Sequence, residues 1–488
     1  MKIVRVRVPT NRVLPVFLGA YFLLFGMLFY HARLCQDAYY YWAWSQDLAL
    51  SYYDGPPLIA YLLRLYTIIF GEHEFSLYLF SLSATAATAW LIWQCALLLF
   101  NRATARYAVL LWLLTPGTLH FFTLQVTYNP AMIIFWGLSF YYFLQIIYSQ
   151  KKHYYYLLGT SLGCLLLAKY TGILLIISLF FACIGIKKYR FLLKQVDLYL
   201  GLTLALLIFS PVLIWNYQHH WISFKYQLSH GFQAESTAHL HQILAYIMNS
   251  IIDYNVCLLA LIVLIWQNKS NPLGSQRCIL LFPTVLVFCF FLVSSFFATT
   301  QSNWNAPFFF TGAILLASYL APMQNKRLCF LLFFFLIASN ACLVMGDRWP
   351  KFAIQKQGGW SGVYATQKIL SKIPITDYQN KIILTDHSPV ISAMMTYFLK
   401  NHPAICPTNL QDPHYYSCWQ HNASELKKSF IYLSAGPIST PQGLLAHCEL
   451  KKHYTSTQKR LLYAPITWHL HWYDCQPPIS TPLRSGTI

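Results

Sequence analysis

Eleven strongly apolar segments follow one another before residue 346, and this succession constrains the fold more than any other feature. They run at approximately 13–30, 77–100, 107–122, 130–148, 155–168, 171–186, 195–214, 241–266, 278–297, 306–322 and 328–345. Most approach the ~20 apolar residues that a helix needs to cross a bilayer. In lipid the backbone must satisfy its own polar groups, so segments of this kind read as helices. Composition agrees: 57% of the 488 residues are hydrophobic and 10% are charged, against about 25% charged in an ordinary globular domain. That excludes a cytosolic enzyme, and a disordered chain needs the opposite balance. The expected fold class is an all-α polytopic membrane protein of about 11 transmembrane helices.

The first segment follows four basic residues, as a signal peptide does, but the polar run His31-Ala32-Arg33-Leu34-Cys35-Gln36-Asp37 offers no small-residue cleavage site. It is read as an uncleaved span. The fifth and sixth segments are short and flank Lys169-Tyr170-Thr171, so they form a tight hairpin or are misdivided. Basic residues set the orientation. Lys2, Arg5, Arg7 and Arg12 place the N-terminus in the cytoplasm. Alternating from there, sixteen Lys/Arg fall inside and four (Arg33, Arg64, Lys169, Lys225) fall outside before residue 346. An odd number of spans then carries everything after Gly346 to the outer side.

The tail, residues 347–488, is less apolar and reads as a small α/β domain. Lys381–Thr385 and Phe430–Ser434 are candidate buried strands, Val390–Leu399 a helix, and Trp468–Tyr473 an alternating strand. Four cysteines lie here, Cys406, Cys418, Cys448 and Cys475; two disulfides would fit an oxidising compartment, with three possible connectivities. The other nine cysteines lie in or beside spans and read as packing residues. The net charge of +19 is accounted for by topology and by the tail. It forms no groove with interleaved aromatics, so nucleic acid is not an expected partner.

The chemistry concentrates in the first outer loop, 31–76. Five of the eight acids before residue 346 are here: Asp37, Asp47, Asp54, Glu72 and Glu74. The loop reads Asp37-Ala38-Tyr39-Tyr40-Tyr41-Trp42-Ala43-Trp44, then Asp54-Gly55-Pro56-Pro57, then an apolar run from Leu58 to Phe70 that is too short to span and suits the interface.

These residues resemble the first loop of the bacterial protein-mannosyltransferase-like glycosyltransferases of the GT-C superfamily (glycosyltransferase family 39, aminoarabinose-transferase-like). Three further elements follow in order: Lys169-Tyr170-Thr171; Trp215-Asn216-Tyr217-Gln218-His219-His220-Trp221-Ile222-Ser223-Phe224; and Asn303-Trp304-Asn305-Ala306-Pro307. The resemblance spans most of 1–346 and is weaker in the tail. It implies a GT-C fold with a periplasmic C-terminal domain, in the bacterial cytoplasmic membrane. It also implies transfer of a sugar from a polyprenyl-phosphate donor to lipid A, lipopolysaccharide, another glycan or a protein.

Such a reaction needs a base for the acceptor hydroxyl and cations where charge develops on the departing phosphate. Asp37 matches the family's catalytic aspartate. Lys169, ionisable at a predicted membrane boundary, is the phosphate-binding candidate, although a lysine snorkelling to the interface has the same pattern. Arg64 and His220 rank second. Asp54 either touches substrate or shapes an Asx-type turn. Asn303 and Trp304 are candidate sugar or lipid contacts, with an aromatic-belt role equally open for Trp304.

Two departures from the family pattern bear on cofactors. Ala38 stands where many relatives have Glu, and Asn129 where they often have an acid, which removes the obvious carboxylate ligands for a divalent metal. No metal ligand is assigned, and the phosphate is expected to rely on Lys and Arg. Asp253 is an acid inside the eighth segment that matches no motif. The competing functions are a transporter or flippase for a lipid-linked sugar and a non-catalytic glycan-binding relative. The absence of a visible repeat and the polar residues gathered at one face argue against a transporter.

Overall fold

The computed structural model describes residues 13–30, 34–232, 239–267, 274–301, 303–323, 326–348, 359–379, 381–385, 389–399, 401–403, 405–407, 430–434, 448–458 and 466–475. Its helices are α1 (Val13–Tyr30), α2 (Gln36–Gln46), α3 (Leu58–Phe70), α4 (Glu74–Leu99), α5 (Arg102–Leu114), the single turn α6 (Pro116–Thr118), α7 (Tyr128–Ser149), α8 (His153–Ala168), α9 (Ile173–Gly185), α10 (Val196–Gln218), α11 (Ile222–Phe232), α12 (His239–Gln267), α13 (Ser275–Ser294), α14 (Phe308–Leu320) and α15 (Lys326–Arg348). Ten of the eleven apolar segments each lie largely on one of them, and the segment 107–122 crosses α5, α6 and the π-helical turn that follows. Among the described residues four helices are long and apolar enough to cross a membrane: α4, α7, α10 and α13. Two more candidates are bent. Pro116 breaks α5 from the π-helical turn Leu119–Leu124 at 65°, and α9 turns by 115° into the 3-10 segment Lys187–Lys194.

The fifth and sixth segments are not two arms packed on each other. The chain breaks at Lys169, passes through a 3-10 turn (Tyr170–Gly172), and sends α8 chiefly onto α7 and α10 while α9 packs on α13. The α8–α10 contact is a close backbone approach. A Cβ on Gly159 would lie 2.1 Å from the Gly201 carbonyl oxygen, and one on Gly201 would lie 2.5 Å from the Tyr155 carbonyl oxygen. In lipid, where no hydrophobic force pushes helices together, small residues of this kind permit the van der Waals contact that does. The consequence is positional, because α8 ends at Lys169 and α10 ends at Trp215-Asn216.

Between 359 and 475 the described segments form a five-stranded mixed sheet, β1 (Ile382–Thr385), β2 (Ile405–Pro407), β3 (Phe430–Ser434), β4 (Cys448–Gln458) and β5 (Ile466–Cys475), in the order β2-β1-β3-β5-β4. β1 runs parallel to β2 and β3, while β5 is antiparallel to both β3 and β4. Alternation directs Ile431, Leu433, Leu470 and Trp472 into a core that includes Ile369 and Leu370 of α16 (Gly359–Leu370), Tyr378 of α17 (Ile375–Tyr378) and Met395 of α18 (Pro389–Phe398). Cys448 and Cys475 are register partners on β4 and β5 and form a disulfide. Cys418 lies outside the described residues, and so does the side chain of Cys406.

Candidate active site

α2 carries the first-loop acids and aromatics. Asp37 sits in its first turn, where the unpaired amides of a helix N-terminus favour negative charge. The residue is exposed overall, yet protein packed near its carboxyl desolvates it and raises its pKa above the ordinary carboxylate value. Tyr41 is one turn further along the same face, and its ring meets the edge of Tyr128 at 5.4 Å. Below α2, Tyr52 stacks on Trp44 at 4.1 Å and donates from its hydroxyl to the carbonyls of Trp44 and Asp47, each at 2.9 Å. Paired backbone bonds between Tyr52 and Gly55 close the turn that presents Asp54.

Lys169 is buried in the break between α8 and the 3-10 turn. Its Nζ donates to Asn129 Oδ1 at 3.1 Å and lies 4.3 Å from the centre of the Tyr128 ring, a cation–π contact. Asn129 and Tyr128 open α7, where Thr127 caps the first turn by accepting from the Asn129 amide at 3.3 Å. Burial pulls the Lys169 pKa down to about 7, and the carboxylate of Asp54 pulls the other way. The cation is therefore close to its titration point and is held by a neutral amide and a π face. The Asn129 Nδ2 is buried with no hydrogen-bond partner.

Hydrogen bonds draw three of the motifs together at one end of the helix bundle, and ring contacts reach the fourth. The Tyr170 hydroxyl meets Ser51 Oγ at 3.2 Å and Ser223 Oγ at 2.9 Å, which ties the Lys-Tyr-Thr turn to the first loop and to the segment after α10. Gln227 of α11 donates to Asp54 Oδ1 at 3.0 Å and also to the Asp54 carbonyl. A line of rings then runs Tyr53–Tyr226 (4.5 Å), Tyr226–His230 (5.6 Å) and His230–Trp304 (5.1 Å), reaching the fourth motif. Trp304 is buried there, and Asn303 is half-buried with its Oδ1 unpartnered.

Other candidates lie elsewhere. Arg64 donates to Gln46 Oε1 and Glu72 Oε1, both at 3.2 Å, at the opposite end of α2 from Asp37. At a rise of ~1.5 Å per residue, Gln46 is roughly 14 Å along the helix from Asp37. His220 is exposed. It and Trp221 hold left-handed backbone angles (φ 56° and 62°) that end α10 and turn the chain into α11. Asp253 packs against the backbone of α6, where a Cβ on Gly117 would lie 3.0 Å from its own Cβ. Sequence reasoning missed Gln227 and His230, and read Tyr41 with the other first-loop aromatics as either a substrate contact or an anchor of the loop. It treated Asn129 as a lost acid, although Asn129 is the hydrogen-bond partner of Lys169. Only spatial proximity reveals such roles, since none of these residues has a local spacing signal.

The arrangement is a helix bundle with a carboxylate-bearing loop and a buried lysine at one end, and its fold is that of the GT-C glycosyltransferases. Residues 54–215 match the family model described as dolichyl-phosphate-mannose-protein mannosyltransferase. ArnT from Cupriavidus metallidurans, solved bound to undecaprenyl phosphate, superposes with a TM-score of 0.67 at 11% identity, over 97% of this chain and 100% of that one. Its apo form gives 0.64 at 12% identity, over 87% and 93%. The oligosaccharyltransferase of Archaeoglobus fulgidus in the apo form gives 0.52 at 11% identity, over 87% of this chain and 70% of that one. No curated protein sequence matches. The resemblance drawn from the four motifs is thus met by the family model and by the fold.

Proposed function

We propose that the protein is a glycosyltransferase that moves a sugar from a polyprenyl-phosphate carrier to a hydroxyl of an envelope acceptor. The reaction takes place on the periplasmic face of the bacterial cytoplasmic membrane. The observation that carries this reading is Lys169, a buried cation at a helix break held by Asn129 and Tyr128, onto which the other three motifs converge through Tyr170, Gln227 and the ring line. The undecaprenyl phosphate bound to the C. metallidurans relative supports the carrier class. Residues 1–346 form the transmembrane unit and 347–488 the periplasmic α/β unit in this reading.

Asp37 takes the proton of the acceptor hydroxyl as its oxygen attacks the anomeric carbon. The bond from that carbon to the phosphate oxygen breaks, and the phosphate leaves with the electron pair. Its raised pKa brings Asp37 nearer the operating pH, which suits a general base. Lys169 compensates the charge that grows on the leaving oxygen. A phosphate beside it favours the ammonium form, which reverses the effect of burial. Asn303 and Trp304 line the sugar side, and Asp54 holds the first-loop turn through Gln227. The donor set does not suit a divalent metal: position 38 is alanine, Asn129 Oδ1 already accepts from Lys169, and among the described residues no three His, Cys, Asp or Glu come together as ligands. No step is routed through one.

Mass spectrometry of lipid A, lipopolysaccharide and envelope glycoproteins tests the proposal in wild type, a deletion strain, and the deletion complemented with Asp37→Asn at verified expression. The expected outcome is a glycan that vanishes on deletion and stays at least ~1000-fold reduced with Asp37→Asn, the scale of a lost general base. Full restoration by Asp37→Asn would remove Asp37 from catalysis. An unchanged glycan profile in all three strains would remove the transferase reading.

A further inference from the structure

The opposite face of α2 is held by a helix that arrives more than 350 residues later. α2 is 11 residues long and has no side-chain N-cap, and a helix shorter than about 12–15 residues is marginal unless tertiary contacts hold it. Asp37 and Tyr41 occupy one of its faces. Tyr39 and Trp42, three apart, occupy another, and both are almost wholly buried. The Tyr39 ring packs on Tyr397 at 4.9 Å and Phe398 at 5.1 Å, while Trp42 meets Tyr397 edge-on at 4.9 Å. The Tyr39 hydroxyl donates to Glu74 at the start of α4. Beyond α18, Asn401 and His402 take left-handed angles (φ 63° and 44°), which side chains other than glycine rarely adopt, and this turn sets the His402 ring 5.2 Å from Trp42.

We infer that α18 and the Asn401-His402 turn of the C-terminal sheet layer are a clamp that positions Asp37. Tyr397 is the central positioning residue, because its ring touches both Tyr39 and Trp42. The Lys169 side of the site is set by α7, α8 and α10, and meets α2 where Tyr41 packs on Tyr128. Loosening α18 is expected to displace Asp37 more than Lys169, whose own contacts, Asn129 and Tyr128, belong to α7. This rests on the reading of Asp37 as the base.

The test uses the full-length protein in detergent or nanodiscs carrying Tyr397→Ala or Tyr397→Phe, with three readouts. Hydrogen exchange of the residue 36–46 amides should quicken at least tenfold in Tyr397→Ala. Affinity for undecaprenyl phosphate should stay within twofold of wild type. The glycan restored by complementation should fall by about 10- to 100-fold, the range expected when a reacting group is displaced by an ångström or so. Tyr397→Phe keeps the ring that packs on Tyr39 and Trp42, so its changes in exchange and glycan should be smaller than those of Tyr397→Ala. Unchanged exchange in Tyr397→Ala overturns the clamp, as does faster exchange with undiminished glycan. Carrier affinity lost in parallel with the glycan also overturns it, because that marks general unfolding. If the wild-type chain proves to make no glycan, the proposed function fails, and the exchange of α2 still decides the clamp by itself.

Discussion

The two halves of the site reach the same rim by different physical routes. Lys169 is placed by helix packing between neighbours in sequence: α7, α8 and α10 follow one another closely, and Gly159 and Gly201 let two of their backbones touch. Asp37 is placed by side-chain contacts on a short helix whose partners come from α7, α4 and, far along the chain, α18. A backbone contact between glycines tolerates almost no substitution, because nothing at the contact can turn aside. An aromatic clamp accepts another ring of the same size and fails gradually. The sugar transfer proposed here would then have a rigid phosphate side and an adjustable base side.

The strongest break of this comparison is at the glycine crossing. Gly201→Leu puts a side chain into the Tyr155 carbonyl, where neither helix can yield, and should cost about 3 kcal/mol or more. The thermal midpoint and binding of undecaprenyl phosphate should fall together, whereas Tyr397→Ala leaves binding intact. Stable protein with normal binding would show that the crossing is not what fixes Lys169.

The charge on Lys169 sharpens the contrast next. Because its pKa lies at about 7 in the free protein, the ammonium form is lost as pH rises through that value, and affinity for undecaprenyl phosphate should drop on the alkaline side. Arginine stays protonated across this range, so Lys169→Arg should remove the alkaline decline even where it lowers the maximum affinity. A decline that persists in the arginine variant would assign it to another group.

The smallest expected effect is at Tyr170, which joins the halves. Tyr170→Phe keeps the ring but deletes the hydroxyl shared by Ser51 and Ser223. A loss of about 1–2 kcal/mol in stability is expected, with a measurable rise in exchange at residues 51–55. An unchanged loop would mean that Gln227 and the Tyr52–Gly55 backbone bonds suffice to secure it.

Much of this was legible in the chain itself. The positions of the apolar helices, the strand at 430–434 and the helix after residue 389 follow from hydrophobic period and length. The four motifs that meet at the site could be picked out one by one. Partners could not. Asn129 looked like a missing acid until its carboxamide was seen to face Lys169, and Gln227 and His230 carry no spacing that distinguishes them from surface residues of α11. The disulfide had three connectivities until the register of β4 on β5 set Cys448 opposite Cys475.

The sequence by itself determined which segments are helices and which residue types stand at their ends, because apolar length and local charge act within one segment at a time. The tertiary structure alone decided which ends share a rim, what surrounds Lys169, that Arg64 pairs with Glu72 instead of joining it, and that α18 returns to grip α2. Those outcomes depend on backbone crossings and ring contacts between residues tens to hundreds of positions apart, and no periodicity along the chain encodes them.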